Sequence, residues 1–175
     1  MQINNVKSIM VVCAGNICRS PMAEVILKDK IKKARLNITV SSSGVGNWHE
    51  CENANPKTIQ VLTENGYAIN HRAQQFKKTW FDLYDLILVM DHKNMKDLLN
   101  IASEIHKNKI KYFLQFDKTT NNLEVPDPYY EKIDAFYKVF GILESASDIW
   151  VQYLRQSFKD DHNIISNTLS EFPQV

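Results

Sequence analysis

An apolar run of strand length, Ser8-Ile9-Met10-Val11-Val12-Cys13, stops at the turn residues Ala14-Gly15-Asn16, and a helix signal opens a few positions later at Ser20-Pro21. Serine is a preferred helix N-cap and proline a preferred first helical residue. Ala23, Ile26, Leu27, Ile31 and Ala34 then recur at helical spacing, with Lys28, Lys30, Lys32 and Lys33 among the outward positions. The chain thus opens as strand, tight loop, helix, and the pattern recurs. Ile38-Thr39-Val40-Ser41 reads as a second strand, Pro56 to Asn65 as a helix stopped by Gly66, and Leu86 to Met90 as a strand. Asp91 to Ala102 reads as a helix and Ile110 to Leu114 as a weaker strand. A last long helix carries Ile133, Phe136, Phe140, Leu143, Trp150 and Leu154 on one face. The continuous apolar run at 86–90 suits a strand covered on both sides. Alternating strands and helices predict an α/β fold, a parallel sheet between helix layers. Ligands in such sheets bind beyond the carboxyl ends of the strands, which is where the loop from Cys13 to Ser20 lies.

A chain of 175 residues is long enough for one domain with a sizeable core. With 44% hydrophobic and 23% charged residues it is no disordered, collagen-like or fibrous chain. The 21 basic and 20 acidic residues leave a net charge of +1, which argues against a dedicated nucleic-acid or membrane-surface binder. No apolar run approaches the roughly 18–20 residues that span a bilayer. The N-terminus lacks the pattern of a secretion signal. Three cysteines are too few, and odd in number, for a disulfide framework. The expected compartment is the reducing cytoplasm, where cysteine serves chemistry and not cross-linking.

The loop itself suggests that chemistry. A glycine-containing turn entering a helix aims backbone N–H groups and the helix dipole into one concavity, an anion site. Arg19 adds a planar fork matched to two phosphate oxygens. Cys13 stands at the loop's start, where the same positive field suits a thiolate nucleophile. Cys13-x-x-x-x-x-Arg19-Ser20 therefore describes either a cysteine-dependent phosphatase site or a buried strand-end cysteine near an arginine. The departing alkoxide or phenoxide needs a proton. Asp127, stiffened between Pro126 and Pro128 and followed by Tyr129-Tyr130, is the leading acid, and a plain Asp-Pro turn is the alternative.

Here the residues resemble a family, the low-molecular-weight protein tyrosine phosphatases. The resemblance rests on Val11-Val12-Cys13-Ala14-Gly15-Asn16-Ile17-Cys18-Arg19-Ser20-Pro21-Met22-Ala23-Glu24, on Trp48-His49, and on Gly66-Tyr67 with His71-Arg72-Ala73. Val89-Met90-Asp91 and Val125-Pro126-Asp127-Pro128-Tyr129-Tyr130 complete it, over roughly residues 7–155. It implies a single three-layer domain with a four-stranded parallel sheet of order 2-1-3-4, flanked by helices. It implies Cys13 as nucleophile, Arg19 as phosphate clamp and Asp127 as general acid and then base, with Ala14 to Ser20 binding the phosphate. Asn16, Ser20, Ser42 and His71 are implied as the network that supports the loop. Ile17, Trp48, Tyr129 and Tyr130 are implied as walls for a phosphotyrosine ring. The implied partners are phosphotyrosine-bearing proteins and a cognate tyrosine kinase, with phosphate as product and inhibitor. No cofactor and no metal are expected. Asp91 reads equally as a site-support residue or a helix N-cap. His49 falls in no constellation. Cys18, in the same loop as Cys13, is the expected partner for a protective disulfide, with Cys51 as the rival partner and plain packing beneath the loop as the alternative role for Cys18.

Two departures stand out. Glu50-Cys51 occupies a stretch where many members carry Val-Gly, and residues 158–175 extend past the family's usual end. The phosphatase domain is accordingly expected over 1–157, with 158–175 an extension that packs back or frays. Competing functions are an arsenate reductase, for which the relay cysteines are missing, a protein-arginine phosphatase, disfavoured by Ile17, and a phosphocysteine carrier. A carrier should hold its phosphate, so Arg19 with Asp127 speaks against it.

Overall fold

The computed structural model describes residues 6–170, with side chains through 157. Its elements run β1 (Ser8–Cys13), α1 (Arg19–Lys33), β2 (Thr39–Gly44), α2 (Pro56–Glu64), a short 3-10 turn (Lys78–Phe81), β3 (Leu86–Val89), α3 (His92–Ile101), α4 (Glu104–Lys107), β4 (Ile110–Tyr112) and α5 (Ile133–Ser170). The four strands form one parallel sheet of order β2-β1-β3-β4, the order and architecture expected from the sequence.

Side chains alternate across a strand, so each strand feeds two cores. Ile9 and Val11 of β1, with Leu86 and Leu88 of β3, pack against α1 and α5 residues such as Met22, Ile26, Phe136 and Trp150. Met10 and Val12, with Ile87 and Val89, face Phe76, Phe81 and Leu98 on the other side. That double burial is why β1 and β3 are apolar at nearly every position. α5 buries Phe136, Phe140, Leu143, Trp150 and Leu154, and the Trp150 indole N–H donates to the Phe113 carbonyl at 2.7 Å. Beyond 157 only its backbone is described, so the fate of the extension's side chains lies outside the described residues.

Strands β3 and β4 end one and two residues earlier than the sequence reading has them, and two boundaries next to the site also differ. β2 runs on to Gly44, because Ser42, Ser43 and Gly44 pair in register with Val11, Val12 and Cys13. The polar run looks like a loop, yet Ser42 and Ser43 are buried. α1 starts at Arg19 with Cys18 at the N-cap, not Ser20. The Ser20 hydroxyl is used elsewhere. The 3-10 turn and α4 carry too little periodicity to be read from sequence.

Candidate active site

β1 delivers Cys13 and α1 delivers Arg19 to the carboxyl edge of the sheet, and the loop between them curls back on itself. Asn16 takes a left-handed conformation, φ 58°, which asparagine tolerates better than most side chains. Its backbone N–H then points at Cys13 Sγ, 3.3 Å away.

Asn16 is fully buried, and its side chain fixes the orientation of the loop. Its Nδ2 donates to Ser20 Oγ and to Ser42 Oγ, each at 2.9 Å. Its Oδ1 accepts the Gln74 N–H at 2.9 Å, and its backbone carbonyl accepts from His71 Nε2 at 2.7 Å. A carbonyl cannot donate, so His71 carries its proton on Nε2. Ser42, already accepting from Asn16, donates to Glu24 Oε2 at 2.6 Å. The Ser20 proton is left to Cys13 Sγ at 3.1 Å or to the Ser43 carbonyl at 3.2 Å. A chain of hydrogen bonds thus runs from the Glu24 carboxylate to the Cys13 sulfur.

Arg19 is 2% exposed. Its Nη1 donates to Asp91 Oδ2 at 2.7 Å and to the Val125 carbonyl at 3.0 Å. Its Nη2 donates to Asp127 Oδ2 at 2.5 Å. The Nε is buried and has no partner among the described residues. Burial works against the guanidinium charge, but Cys13, Asp127 and Asp91 outweigh it and hold the Arg19 pKa above its ordinary value. Asp91 serves both purposes considered for it, because its Oδ1 also caps α3 by accepting the Asn94 N–H at 2.7 Å.

A cavity of about 580 Å³ opens over this loop. Cys13, Ala14, Gly15, Ile17, Cys18 and Arg19 form its floor, and Trp48, His49, Asp127, Tyr129 and Tyr130 its walls. Asn16, Ser20, Ser42 and His71 lie behind the floor as its bracing. Trp48 is 66% exposed and Tyr130 94%, so both rings are largely open to solvent at the mouth. Cys18 is buried beneath the loop; burial first, then the charges of Cys13 and Asp127, push its thiol up to about 12. Cys51 is exposed, away from the cavity lining, and its φ of 68° is left-handed. That accounts for the glycine the resemblance leads one to expect there.

Several contributors escape a sequence reading. Gly44 admits no side chain: a Cβ there would lie 2.8 Å from the Ala14 carbonyl oxygen and 3.0 Å from the Asn16 nitrogen. The Trp48 ring lies where a Cβ on Gly46 would be. His49 rests over Gly15, with Nδ1 2.9 Å from Glu52 Oε2 and its ring 5.8 Å from that of Tyr129. Glu24 and Gln74 reach the loop only through Ser42 and Asn16. The glycine pair in Gly44-Val45-Gly46 is the one signal of this that the sequence carries. Among the described residues no group of His, Cys, Asp and Glu side chains could hold a metal ion. No helix there is long and apolar enough to cross a membrane.

The sequence model of the family described as low molecular weight phosphotyrosine protein phosphatase matches residues 8–160. A low molecular weight protein-tyrosine-phosphatase of Streptomyces coelicolor is 38% identical over 141 residues, 78% of this chain and 86% of that protein. The crystal structure of a protein tyrosine phosphatase from Entamoeba histolytica, with Hepes in its active site, superposes with a TM-score of 0.82 at 33% identity, covering 86% of this chain and 97% of the other. Vibrio vulnificus Wzb in complex with benzylphosphonate gives a TM-score of 0.76 at 32% identity, covering 85% and 99%.

Proposed function

Because the chain belongs to the low molecular weight phosphotyrosine protein phosphatase family, we propose that it hydrolyses phosphotyrosine in proteins through a phosphocysteine intermediate on Cys13. The observation that carries this reading is the meeting of Cys13, Arg19 and Asp127 in one cavity, with Arg19 Nη2 on Asp127 at 2.5 Å. A phosphate group entering the loop meets backbone N–H groups at the start of α1 and the guanidinium of Arg19. It takes over the Nη2 and Nε donors and releases the Asp127 carboxyl, which the flanking prolines keep at the rim.

Cys13 Sγ then forms the S–P bond as the bond from phosphorus to the tyrosine oxygen breaks, and Asp127 passes its proton to that oxygen. In the second step Asp127 takes a proton from water as the water attacks phosphorus. Inorganic phosphate leaves and the Cys13 thiolate returns. The Ser20 hydroxyl and the Asn16 N–H stabilise that thiolate at 3.1 and 3.3 Å. Ile17, Trp48, Tyr129 and Tyr130 flank the flat ring. The phosphate product competes for the same loop and inhibits. A tyrosine kinase that carries phosphotyrosine is the proposed cognate partner, and the cytoplasm, which keeps Cys13 reduced, is the proposed compartment. The activity is assigned to residues 1–157.

The test uses phosphotyrosine peptide and inorganic phosphate. Cys13→Ser should show no turnover of the peptide yet bind phosphate with affinity close to the parent. Substantial residual hydrolysis by a clean Cys13→Ser preparation would overturn the assignment.

A further inference from the structure

We propose that Glu124 is a positioning residue for Asp127, anchoring the segment that presents Asp127 to the N-terminus of α3. The proposal rests on the reading of Asp127 as general acid. The polar loop after β4 mostly bonds within itself. Asp117 accepts from Thr119, Thr120 accepts from the Asn122 N–H, and Asn122 accepts from the Glu124 N–H at 3.0 Å. The Glu124 carboxylate breaks that habit. It reaches out of the loop and accepts the His92 N–H at 2.8 Å, at the first residue of α3.

The next residue is fixed as firmly. The Val125 N–H donates to the Met90 carbonyl at 2.7 Å, and the Val125 carbonyl accepts from Arg19 Nη1 at 3.0 Å. Glu124 and Val125 are therefore held at three points, by the first N–H of α3, by the Met90 carbonyl just after β3 and by Arg19 of α1. Asp127 follows two residues later, and the prolines on both sides of it restrict the backbone. A shift at Glu124 is passed on to the Asp127 carboxyl with little absorbed between.

α3 thereby holds two carboxylates at its start, each on a different N–H. Asp91 takes the Asn94 N–H and holds Arg19, while Glu124 takes the His92 N–H and holds the acid-bearing loop. The helix dipole favours both charges. The start of α3 is itself pinned to the sheet, because the His92 ring meets Tyr112 at the end of β4. Nδ1 lies 2.7 Å from Tyr112 Oη, with ring centroids 5.2 Å apart at 90°. The phosphate clamp and the acid are thus referred to one helix end.

A general acid must stand within hydrogen-bond reach of the departing oxygen, and small misplacements cost rate. Glu124 is a solvent-side contact, so its removal should cost rate more than stability. The test measures kcat/KM for a series of aryl phosphates whose phenols span a wide range of acidity. Parent, Glu124→Ala, Glu124→Gln, Tyr112→Phe and Asp127→Ala are compared. Glu124→Ala should lose about three- to ten-fold, the worth of one hydrogen bond, on esters of weakly acidic phenols. It should lose less than about two-fold on esters of strongly acidic ones. Glu124→Gln keeps an acceptor for the His92 N–H and should recover most of the loss. Tyr112→Phe should show the same tilt, smaller. A loss by Glu124→Ala that is equal across the series, or no loss, overturns the proposal while a steep Asp127→Ala series leaves the acid in place. A flat Asp127→Ala series removes the acid assignment, and the proposal with it.

Discussion

Asn16 shows how much one side chain can organise. Its amide and carbonyl make four hydrogen bonds, to Ser20, Ser42, Gln74 and His71, from a fully buried left-handed residue. Its partners lie 4, 26, 55 and 58 positions away, too far apart for spacing to announce them; the family resemblance pointed to Ser20, Ser42 and His71 but not to Gln74. Cys13, Arg19 and Asp127 were legible because a motif and a stiff Pro-Asp-Pro turn mark them. Glu24 and Gly44 were not, because they act through neighbours in space. Cys18 belongs to the same scale. Its thiol is buried and pushed up to about 12. If Cys18 is the protecting residue, a sulfenic acid formed on Cys13 by peroxide should condense with the Cys18 thiol, losing water, and a dithiol reductant should return both thiols. Wild type treated with peroxide and then reductant should regain most activity and show a Cys13–Cys18 linkage by peptide mapping. Cys18→Ser should regain much less; equal recovery would exclude Cys18 as the protecting residue.

At the scale of elements, the end of β2 is the least legible and among the most consequential. The sequence reading ends the strand at Ser41, yet Ser42, Ser43 and Gly44 continue it because β1 pairs with them to the last residue, and there the Ser42 hydroxyl and the Ser43 carbonyl reach the site. Gly44 lets the loop from Ala14 to Asn16 lie against the strand, with backbone atoms 2.8–3.0 Å from where a Cβ would be. Backbone there cannot swing aside as a flexible side chain could. Gly44→Ala should therefore lower stability by about 1–3 kcal/mol and raise the Kd for phosphate, measured by denaturant titration and calorimetry. Unchanged phosphate affinity would show that the loop tolerates the displacement. The helices were easier to read, since α2 and α3 start at Asn55 and Asp91, side chains that cap them.

For the molecule as a whole, the layering followed from apolar runs covered on both faces and the strand order from the family resemblance, and the relatives share that architecture. What burial does to ionisable groups sets the alkaline limit of stability. Cys18 rises from 9.0 to about 12 in the folded state, and Tyr67, under burial and beside Glu144, from 10.0 to about 12. In both cases the folded protein keeps a proton that the unfolded chain gives up. The contribution of these two groups to stability is full below pH 9 and falls as pH rises from 9 towards 12, by up to about 4 kcal/mol for Cys18 alone. Denaturant midpoints measured across that range should fall, and Cys18→Ser should flatten the decline between pH 9 and 10; an identical decline in the variant would remove Cys18 as its source. At the centre of the proposed chemistry, Cys13 carries the phosphoryl group between substrate and water. Rapid denaturing quench in alkali during turnover of an aryl phosphate, followed by peptide mass mapping, should find one phosphoryl group on the peptide containing Cys13 and none in Cys13→Ser; steady turnover with Cys13 never phosphorylated, or a phosphoryl group on another residue, would overturn the phosphocysteine step.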